Sequence, residues 1–203
     1  YYLLMELQTL LAPFRRAVNQ FSLIEDGDKI AVGVSGGKDS LTLLALLSAY
    51  RRFSPQRFEL MAVTIDMGFK EDAYAPIRDY CAQINVDYVV EKTDIAQILF
   101  DIRKESNPCS LCSKMRRGAL NGVLSQKGFG KLALGHHSDD VIETFLLSMC
   151  FEGRLSTFSP KSFMSRSGIA VIRPMVFIDE REYFRPCKKS ARSSQSLPCG
   201  QTH

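Results

Sequence analysis

Several features that define whole classes of protein are missing from this 203-residue sequence. No apolar run is long enough to span a membrane, and no basic residues lead an apolar block at the N-terminus, as in a signal peptide. The six cysteines are too few and too unevenly spaced for a disulfide framework. No internal repeat or second domain is visible. We therefore expect a soluble, cytoplasmic protein with no membrane partner.

The chain also lacks a strong net charge of either sign. Its net charge is +4, and charged residues make up 24% of the sequence. This balance permits binding to nucleic acid without requiring it, since dedicated nucleic-acid binders are usually more basic. The hydrophobic fraction of 45% is ample for the core of one domain. Because the chain begins with Tyr1 rather than Met and ends soon after Cys199, we expect it to be a piece of a longer protein.

The most informative stretch begins with Lys29–Val34, an apolar and β-branched run that predicts a buried strand. The hexapeptide Ser-Gly-Gly-Lys-Asp-Ser follows at residues 35–40, and Leu41–Tyr50 then has the pattern of a helix. Glycines in this position let the backbone approach an anion, and the helix N-terminus adds N–H donors and the positive end of its dipole. The spacing matches neither the Walker P-loop nor the Gly-x-Gly-x-x-Gly fingerprint. It predicts a phosphate site of another kind.

Strands and helices alternate along the chain, which predicts an α/β fold with an open parallel sheet and helices on both of its faces. Apolar side chains recur at three- and four-residue spacing over residues 3–21, which predicts an amphipathic helix in front of this sheet. We divide the chain into an N-terminal helix (1–24), an α/β domain (25–182) and an irregular C-terminal tail (183–203). The further elements are strands at 58–65, 87–91, 131–135 and 169–172 and helices at 73–84 and 95–103.

Polar groups follow two of the predicted strands. Asp66 ends the second strand, and the segment Gly-His-His-Ser-Asp-Asp-Val-Ile-Glu-Thr at 135–144 follows the fourth. Because the carboxyl ends of parallel strands meet at one edge of a sheet, these groups should lie near the phosphate site. Carboxylates beside a bound polyphosphate hold Mg²⁺ or act as a base. A helix is predicted from here to Phe151, with Ser138 or Asp139 as its N-cap.

A Cys-x-x-Cys motif forms the second chemical signal. Pro108 precedes Cys109 and Cys112, which lie at the predicted start of a helix and can face one metal ion. The helix N-terminus and the neighbouring Lys114, Arg116 and Arg117 favour thiolates, which serve as metal ligands or as sulfur nucleophiles. Cys81 and Cys150, by contrast, lie in apolar helical patterns, so we expect both to be buried and inert.

The hexapeptide at 35–40 resembles the pyrophosphate loop of the ATP-pyrophosphatase superfamily. Two further groups of motifs follow it: Pro-Cys-Ser-Leu-Cys with Arg-Arg-Gly at 108–118, and Gly-His-His-Ser-Asp-Asp with Glu-Thr at 135–144. Together, and in this order, the three resemble the tRNA 2-thiocytidine synthetase family. The Pro-Lys, Ile-Arg-Pro and Arg-Glu motifs within 158–182 are similar to that family as well. The resemblance covers nearly the whole chain.

What the resemblance implies is a pyrophosphate-loop (PP-loop) ATPase of the adenine nucleotide alpha-hydrolase-like fold that thiolates a cytidine in the tRNA anticodon loop. It implies ATP and Mg²⁺ as cofactors, together with a [4Fe-4S] cluster held by Cys109, Cys112 and Cys199. Cys187 is the rival third ligand. The implied partners are tRNA and a sulfur donor such as a cysteine desulfurase, and a homodimer is among the assemblies open to the chain.

The resemblance also assigns roles to individual residues. The catalytic residues it implies are Lys38, Asp39, Arg116, Asp139 and Asp140. The residues implied to bind ATP or pyrophosphate are Ser35, Gly36, Gly37, Lys38, Asp39, Ser40, Asp66, Gly135 and His136.

Three alternatives remain open from the residues. The chain can adenylate another acceptor, in thiouridine, lysidine or amide formation. Alternatively, Cys109 or Cys112 can carry a persulfide, so that no cluster is needed. The third alternative is a module that binds nucleotide and metal without catalysis.

Overall fold

The computed structural model describes residues 2–68, 74–98 and 108–183, with the side chains of 2–6, 108 and 183 excluded. Residues 99–107 and 184–203, including Cys187 and Cys199, lie outside the described residues. In chain order the elements are α1 Tyr2–Gln20, β1 Asp28–Gly33, α2 Lys38–Arg51, β2 Phe58–Asp66, α3 Ala75–Gln83, β3 Asp87–Lys92, α4 Ile95–Gln97, α5 Pro108–Lys127, β4 Lys131–Ala133, α6 Ser138–Leu147, β5 Lys161–Met164, β6 Ile169–Ile172 and α7 Glu180–Tyr183.

Six strands form one sheet in the order β3-β2-β1-β4-β6-β5. All neighbouring strands run parallel except β5, which is antiparallel to β6 at the edge of the sheet. The chain builds outward from β1 through β2 to β3 and then returns to place β4 on the other side of β1. This reversal of strand order opens a crevice at the carboxyl ends of β1 and β4, where open α/β sheets bind ligands.

Helices cover both faces of the sheet because successive side chains of its central strands point in opposite directions. Ile30 and Val32 of β1 belong to one core cluster, which includes buried side chains of α1, α2 and α3. Ala31, between them, belongs to a second cluster that includes Val123 and Leu124 of α5. Near-continuous apolar strands are expected when both faces are buried in this way.

The predicted fold is confirmed: a mostly parallel sheet with helices on both faces follows an N-terminal helix. That helix, α1, buries Leu10, Phe14 and Val18 in the first core cluster, which is the apolar stripe that the spacing predicts. Within the described parts of the chain, no helix combines the length and the apolar character needed to cross a membrane.

Several boundaries differ from the prediction. Helix α2 begins at Lys38 rather than Leu41, so the phosphate loop is shorter than expected. The predicted helix at 138–151 is α-helical only to Leu147 and continues as a π-helix over Ser148–Glu152. Strand β5 was not predicted, and it makes the edge of the sheet antiparallel.

Candidate active site

The predicted phosphate loop follows β1 and leads directly into α2. Val34 is tied to β2, because its N–H donates to the carbonyl of Val63 at 2.8 Å and its carbonyl accepts from the Thr64 hydroxyl at 2.8 Å. The chain turns at Gly36, whose φ of +82° would strain any side chain. Gly37 is the N-cap of α2 and offers no side-chain cap. The N–H groups of the first turn and the positive end of the helix dipole therefore face the loop.

Two serines hold the loop in shape. The Ser40 hydroxyl donates to the Gly37 carbonyl at 2.9 Å and accepts from the Ser35 N–H at 3.2 Å. The Ser35 hydroxyl in turn accepts from the Gly37 N–H at 3.3 Å. Both serines thus have a structural task in addition to the phosphate binding predicted for them. The glycine backbone and Lys38 are left as the main candidates to contact an anion.

Gly135 brings the end of β4 against the first turn of α2. A Cβ at this position would lie 2.9 Å from both the carbonyl carbon and the oxygen of Asp39, and 3.2 Å from the Ser40 nitrogen. These neighbours are backbone atoms, so they cannot rotate away as a side chain does. The close approach explains why a glycine is needed at the strand end and fixes the position of the loop relative to β4.

We therefore expect Gly135→Ala to displace the start of α2, destabilising the fold by about 1–3 kcal/mol through overpacking. ATP-dependent activity should also fall, by a factor that corresponds to at least the same free energy, because the displaced atoms belong to the phosphate loop. Denaturant unfolding and nucleotide binding measure the two effects. Gly122→Ala in α5 is the matched control, since its Cβ meets nothing within 4 Å. Equal stability of the two variants would contradict the close approach at Gly135.

The start of α6 carries the predicted His and Asp residues, but its cap differs from the prediction. His137, rather than Ser138 or Asp139, is the N-cap, and its N–H donates to a carboxylate oxygen of Asp140 at 2.8 Å. A carboxylate oxygen of Asp139 accepts the N–H of Glu180 at 2.9 Å and so stabilises the start of α7. One carboxylate oxygen of each aspartate therefore accepts a backbone N–H at the start of a helix. This is expected, because carboxylates interact favourably with helix N-termini.

Glu180 is a residue of this site that the sequence analysis missed. Its carboxylate pairs with the ammonium group of Lys38, which joins α7 to the phosphate loop. Glu180, Asp39 and the buried His137 also offer ligand atoms that all lie within 4.8 Å of one another. This group can hold a divalent cation beside the loop. The acidic pair Asp179-Glu180, which follows the strand ending in Ile-Arg-Pro, is the sequence signal that would have indicated it.

The two cysteines of the Cys-x-x-Cys motif lie on the first turns of α5, as predicted. Cys109 is exposed, whereas Cys112 is 6% exposed and packs in a small cluster with Met67 and Ile95. The sulfur of Cys112 is 3.6 Å from that of Met67, which follows β2. The motif is therefore anchored against the carboxyl end of the sheet by its second cysteine.

A cavity of about 750 Å³ joins these parts of the molecule. Its wall includes the phosphate loop and the start of α2, both cysteines of α5, and the end of β4. The predicted site residues that line it are Ser35, Asp39, Ser40, Cys109, Cys112, Arg116, Gly135, His136 and Asp140. Among the other predicted residues, Gly36, Gly37, Lys38 and Asp139 lie on the loop or helix starts around it, without lining it. The structure thus brings the phosphate loop and the Cys-x-x-Cys motif to one cavity.

His136 and Arg173 line the cavity, and Phe158, which does not line it, packs against both of them. The centroid of the Phe158 ring lies 5.1 Å from the centroid of the His136 ring and 5.0 Å from the guanidinium carbon of Arg173. Arg173 also donates to the Ser159 carbonyl at 2.7 Å. Burial, and then the charge of Arg173, lowers the pKa of His136, so its ring is neutral at pH 7. Sequence analysis singled out His136 alone among these residues.

Asp66 lies farther along the edge of the sheet. One of its carboxylate oxygens accepts the N–H of Gly68 at 2.9 Å and the hydroxyl of Tyr74 at 3.3 Å. Burial and the neighbouring Asp66 raise the pKa of Tyr74 to about 12, so this phenol stays protonated and keeps donating. Asp66 does not line the cavity, and the ATP contact predicted for it remains a prediction.

The two cysteines predicted to be inert differ in the structure. Cys81 is buried against the first core cluster, as predicted, and burial raises the pKa of its thiol. For Cys150 the predicted burial is wrong, because this residue is exposed on the π-helical segment after α6. Its predicted lack of a role in cluster binding stays a prediction. The apolar pattern of that segment was interpreted as a buried face, but the structure leaves it uncovered.

Native-state alkylation should distinguish these two thiols. At pH 8 we expect iodoacetamide to label Cys150 readily and Cys81 roughly 100-fold more slowly, because labelling Cys81 needs an opening of the core. Because the pKa of the Cys81 thiol is raised, the protonated thiol contributes to the free energy of unfolding. This contribution is fully present below the unfolded pKa of about 8.5 and declines as pH rises above it. Peptide mass spectrometry measures both sites together. Equal labelling rates in the folded protein would contradict their placement.

A mostly parallel sheet flanked by helices, with the Ser-Gly-Gly-Lys-Asp-Ser loop at its switch point, defines a nucleotide-binding protein of the PP-loop class. A family profile described as a PP-loop domain matches residues 10–191. Two curated relatives carry the name tRNA-cytidine(32) 2-sulfurtransferase. That of Syntrophotalea carbinolica is 41% identical over 186 residues, which are 91% of this chain and 71% of that protein. That of Geobacter sulfurreducens is 44% identical over 168 residues, 82% of this chain and 65% of that protein.

A solved structure agrees with these relatives. The U34-tRNA thiolase NcsA from Methanococcus maripaludis, solved with its [4Fe-4S] cluster, is similar with a TM-score of 0.69 and 26% sequence identity. The similarity covers 88% of this chain and 61% of that one. The chain therefore belongs to the PP-loop family and, within it, to the tRNA-cytidine 2-sulfurtransferases. It spans about two thirds of the length of the curated relatives.

Proposed function

We propose that the chain carries out ATP-dependent thiolation of a cytidine in the tRNA anticodon loop, forming 2-thiocytidine. One observation supports this most strongly: the phosphate loop and both cysteines of the Cys-x-x-Cys motif line a single cavity. An enzyme that adenylates its substrate for another purpose has no need of two thiols at that place. Amide and lysidine formation are therefore disfavoured.

The first step activates the base. The C2 oxygen of cytidine attacks the α-phosphorus of ATP, the bond from that phosphorus to the bridging oxygen breaks, and pyrophosphate leaves into the loop. Lys38, the loop backbone and the N-terminus of α2 neutralise the charge that develops on the leaving group. The Lys38–Glu180 pair must open or share its charge when the phosphates arrive, because Lys38 has one ammonium group for both.

Mg²⁺ is the cation that ATP chemistry of this kind uses, and the described residues include a group suited to it. Asp39 and Glu180 supply carboxylate oxygens, the ligands that Mg²⁺ prefers, and His137 completes a set within 4.8 Å. A cation held there neutralises phosphate charge next to the loop. In this assignment Asp139 and Asp140 act by fixing the starts of α7 and α6.

The donor set also fits the proposed [4Fe-4S] cluster as far as the described residues extend. Cys109 and Cys112 are three residues apart on one helix and open into the same cavity, which is the arrangement of two thiolate ligands. Cys199 is the third ligand we propose, with Cys187 as its rival, and both lie outside the described residues. When bound, the cluster would present to the activated base the sulfur that the donor supplies.

The second step replaces oxygen by sulfur. A hydrosulfide attacks C2 of the adenylated base, the C2–O bond breaks and AMP leaves with the oxygen. A donor such as a cysteine desulfurase supplies this sulfur as a persulfide, which an external thiol must first reduce to hydrosulfide, forming a disulfide. Arg116 lines the cavity on the same helix as both cysteines and can stabilise the negative charge on the adenylate.

The group of His136, Arg173 and Phe158, of which the first two line the cavity, is suited to hold the target base. Phe158 offers a ring on which a base taken out of the anticodon loop can stack, and Arg173 is held beside it by its bond to the Ser159 carbonyl. The neutral ring of His136 adds a second π-face without a competing positive charge. Reaction of this kind takes place where tRNA and ATP occur together, which we propose is the cytoplasm.

The choice of acceptor is tested with two anticodon stem-loops that differ in one base. We expect the anaerobically prepared protein to form AMP and pyrophosphate with the stem-loop that has cytidine at the position to be modified. The stem-loop with uridine there should give less than a tenth of that rate. Equal AMP formation with both, or formation without RNA, would contradict the proposed substrate.

A further inference from the structure

Three arginines line the cavity, and the proposed reaction uses the charge of only one of them. They are Arg116, Arg117 and Arg173. Arg116 stabilises the adenylate, whereas Arg173 has so far only been placed beside the base and Arg117 has no task. Arg117 belongs to the Arg-Arg-Gly motif on α5, and Arg173 belongs to the Ile-Arg-Pro motif that ends β6. The concentration of positive charge at this side of the cavity therefore needs an explanation.

The guanidinium group of Arg173 is fixed at one end. Its Nη1 donates to the Ser159 carbonyl at 2.7 Å and to the Ser162 hydroxyl at 3.2 Å. Its Nε is buried and, within the described ranges of the chain, has no hydrogen-bond partner. A partly buried cation with donors left unsatisfied is costly unless an anion completes its contacts. Arg173 is thus held in place with donors still available to a ligand.

Arg117 brings a second cation close to the first. Burial, and then the charge of Arg117, lowers the pKa of Arg173, so the two guanidinium groups lie near enough to repel each other. The carboxylates of Asp39 and Asp140 also line the cavity, but neither forms an ion pair with Arg117 or Arg173 among the residues that the structure describes. Two neighbouring cations without a carboxylate between them form a site for an external anion.

We infer that Arg117 and Arg173 bind one backbone phosphate of the RNA, next to the nucleotide that is modified. The inference rests on the proposed function, since it takes the RNA substrate as the source of the phosphate. The planar fork of an arginine matches the oxygens of a phosphate group, and RNA carries one such charge per nucleotide. A contact of this kind fixes the position of the strand without reading its sequence.

The neighbouring contacts favour a phosphate of the same nucleotide or the next one. Phe158, on which we propose that the base stacks, lies 5.0 Å from the guanidinium carbon of Arg173. A base held there brings its own sugar and phosphates close to the two arginines. Arg117 is exposed at the cavity, where a strand that remains outside can reach it.

ATP is the other source of phosphate in this cavity, and the sheet order disfavours it at the two arginines. The loop proposed for the phosphates of ATP follows β1, whereas Arg173 directly follows β6. Strand β4 lies between β1 and β6, so the two strand ends are separated by about 10 Å, two strand spacings. The cavity therefore offers two anion sites, one on each side of the end of β4. RNA held at one and ATP at the other would bring the base and the α-phosphorus together between them.

A scan of single neutral phosphates tests this inference. Anticodon stem-loops, each with one uncharged methylphosphonate linkage, are titrated with the full chain by fluorescence anisotropy in the absence of ATP. For the wild type we expect about tenfold weaker binding when the neutral linkage is at one position next to the target cytidine. Arg117→Gln should bind the unmodified stem-loop about tenfold more weakly and should respond less than about twofold to the neutral linkage at that position.

The controls separate this contact from general electrostatics. Lys127→Gln removes an exposed cation from the same helix, about 15 Å away along its axis and outside the cavity, so it should keep the wild-type pattern. The slope of log affinity against log salt should fall by about one in Arg117→Gln. Arg173→Gln should repeat the result of Arg117→Gln. Circular dichroism verifies that each variant is folded, and Arg117→Gln keeps the test decisive if the more buried Arg173 cannot be replaced.

Three results would overturn the inference. The first is wild-type RNA affinity in Arg117→Gln, and the second is full sensitivity of that variant to the neutral linkage. The third is weaker binding of a non-hydrolysable ATP analogue with unchanged RNA binding, which would place the arginines on ATP. Loss of the predicted pattern in a protein that still forms 2-thiocytidine contradicts the inference alone. The predicted pattern in a protein that forms no 2-thiocytidine supports the inference and contradicts the proposed function.

Discussion

Lys38→Ala should lower AMP and pyrophosphate formation by about 10²–10³-fold, the usual effect of removing one charged group from a preorganised anion site. Lys38 begins α2 at the phosphate loop, and its side chain is 40% exposed rather than part of the core. The fold should therefore survive. The variant also releases Glu180 from its ion pair, which frees that carboxylate for the cation site.

Lys29→Ala is the control for this result. Lys29 lies near the amino end of β1, is similarly exposed, and pairs with Glu59 at 3.1 Å on the surface. Its loss should change stability by less than about 1 kcal/mol and leave AMP formation intact. Quantifying AMP and pyrophosphate by chromatography compares the two variants directly. A Lys38→Ala protein with nearly wild-type AMP formation would remove the phosphate role from the loop.

Replacing either cysteine of the motif should separate the two halves of the reaction. Cys109→Ser and Cys112→Ser are expected to lose iron, acid-labile sulfide and thiolation together, because the thiolate ligands act as one set. Exchange of labelled pyrophosphate into ATP should continue in the presence of tRNA, since the phosphate loop is built by β1 and α2 and the thiols belong to α5. Iron and sulfide assays after anaerobic reconstitution, run alongside the exchange reaction, measure both outcomes.

Two comparisons sharpen this experiment. Cys150→Ser should keep full iron content, because Cys150 lies on the exposed α6 segment and does not line the cavity. Cys199→Ala should lose iron, whereas Cys187→Ala should keep it. The opposite result for this last pair would exchange the two candidates for the third ligand. Retention of iron and thiolation in both Cys109→Ser and Cys112→Ser would contradict the role given to the motif.

Much of this site was predictable because its signals are local in sequence. The apolar run of β1, the glycines at 36 and 37 and the helix pattern of α2 lie side by side, so a phosphate loop could be inferred without long-range information. The position of the cavity could be predicted from a general rule, since the carboxyl ends of parallel strands meet at one edge of the sheet. The structure places the predicted Gly135, His136 and Asp140 at that edge together with the loop.

The features that were missed depend on contacts between distant parts of the chain. Glu180 meets Lys38 across 142 positions of sequence, and the acidic pair Asp179-Glu180 indicates a polar site without showing that Lys38 is the partner. The N-cap at His137 depends on Asp140 folding back on the backbone, which the more usual capping residues Ser138 and Asp139 obscured. Strand β5 is four residues long and lies at the edge, so it lacks the buried pattern of the inner strands.

The wrong prediction for Cys150 has a different physical cause. Apolar residues at helical spacing normally indicate a face buried within the same chain, but spacing cannot say which chain covers that face. In the structure the segment around Cys150 is exposed, although its apolar residues recur at helical spacing.

The central claim, that one cavity joins adenylation to sulfur transfer onto cytidine, is tested most directly by nucleoside mass spectrometry of reacted tRNA. Anaerobically reconstituted protein is incubated with ATP, Mg²⁺, sulfide and unmodified tRNA, and the digested nucleosides are quantified together with AMP. We predict 2-thiocytidine and AMP in equal amounts, with no 2-thiouridine. AMP formed without any thiolated nucleoside, or sulfur found on uridine instead, would contradict the account.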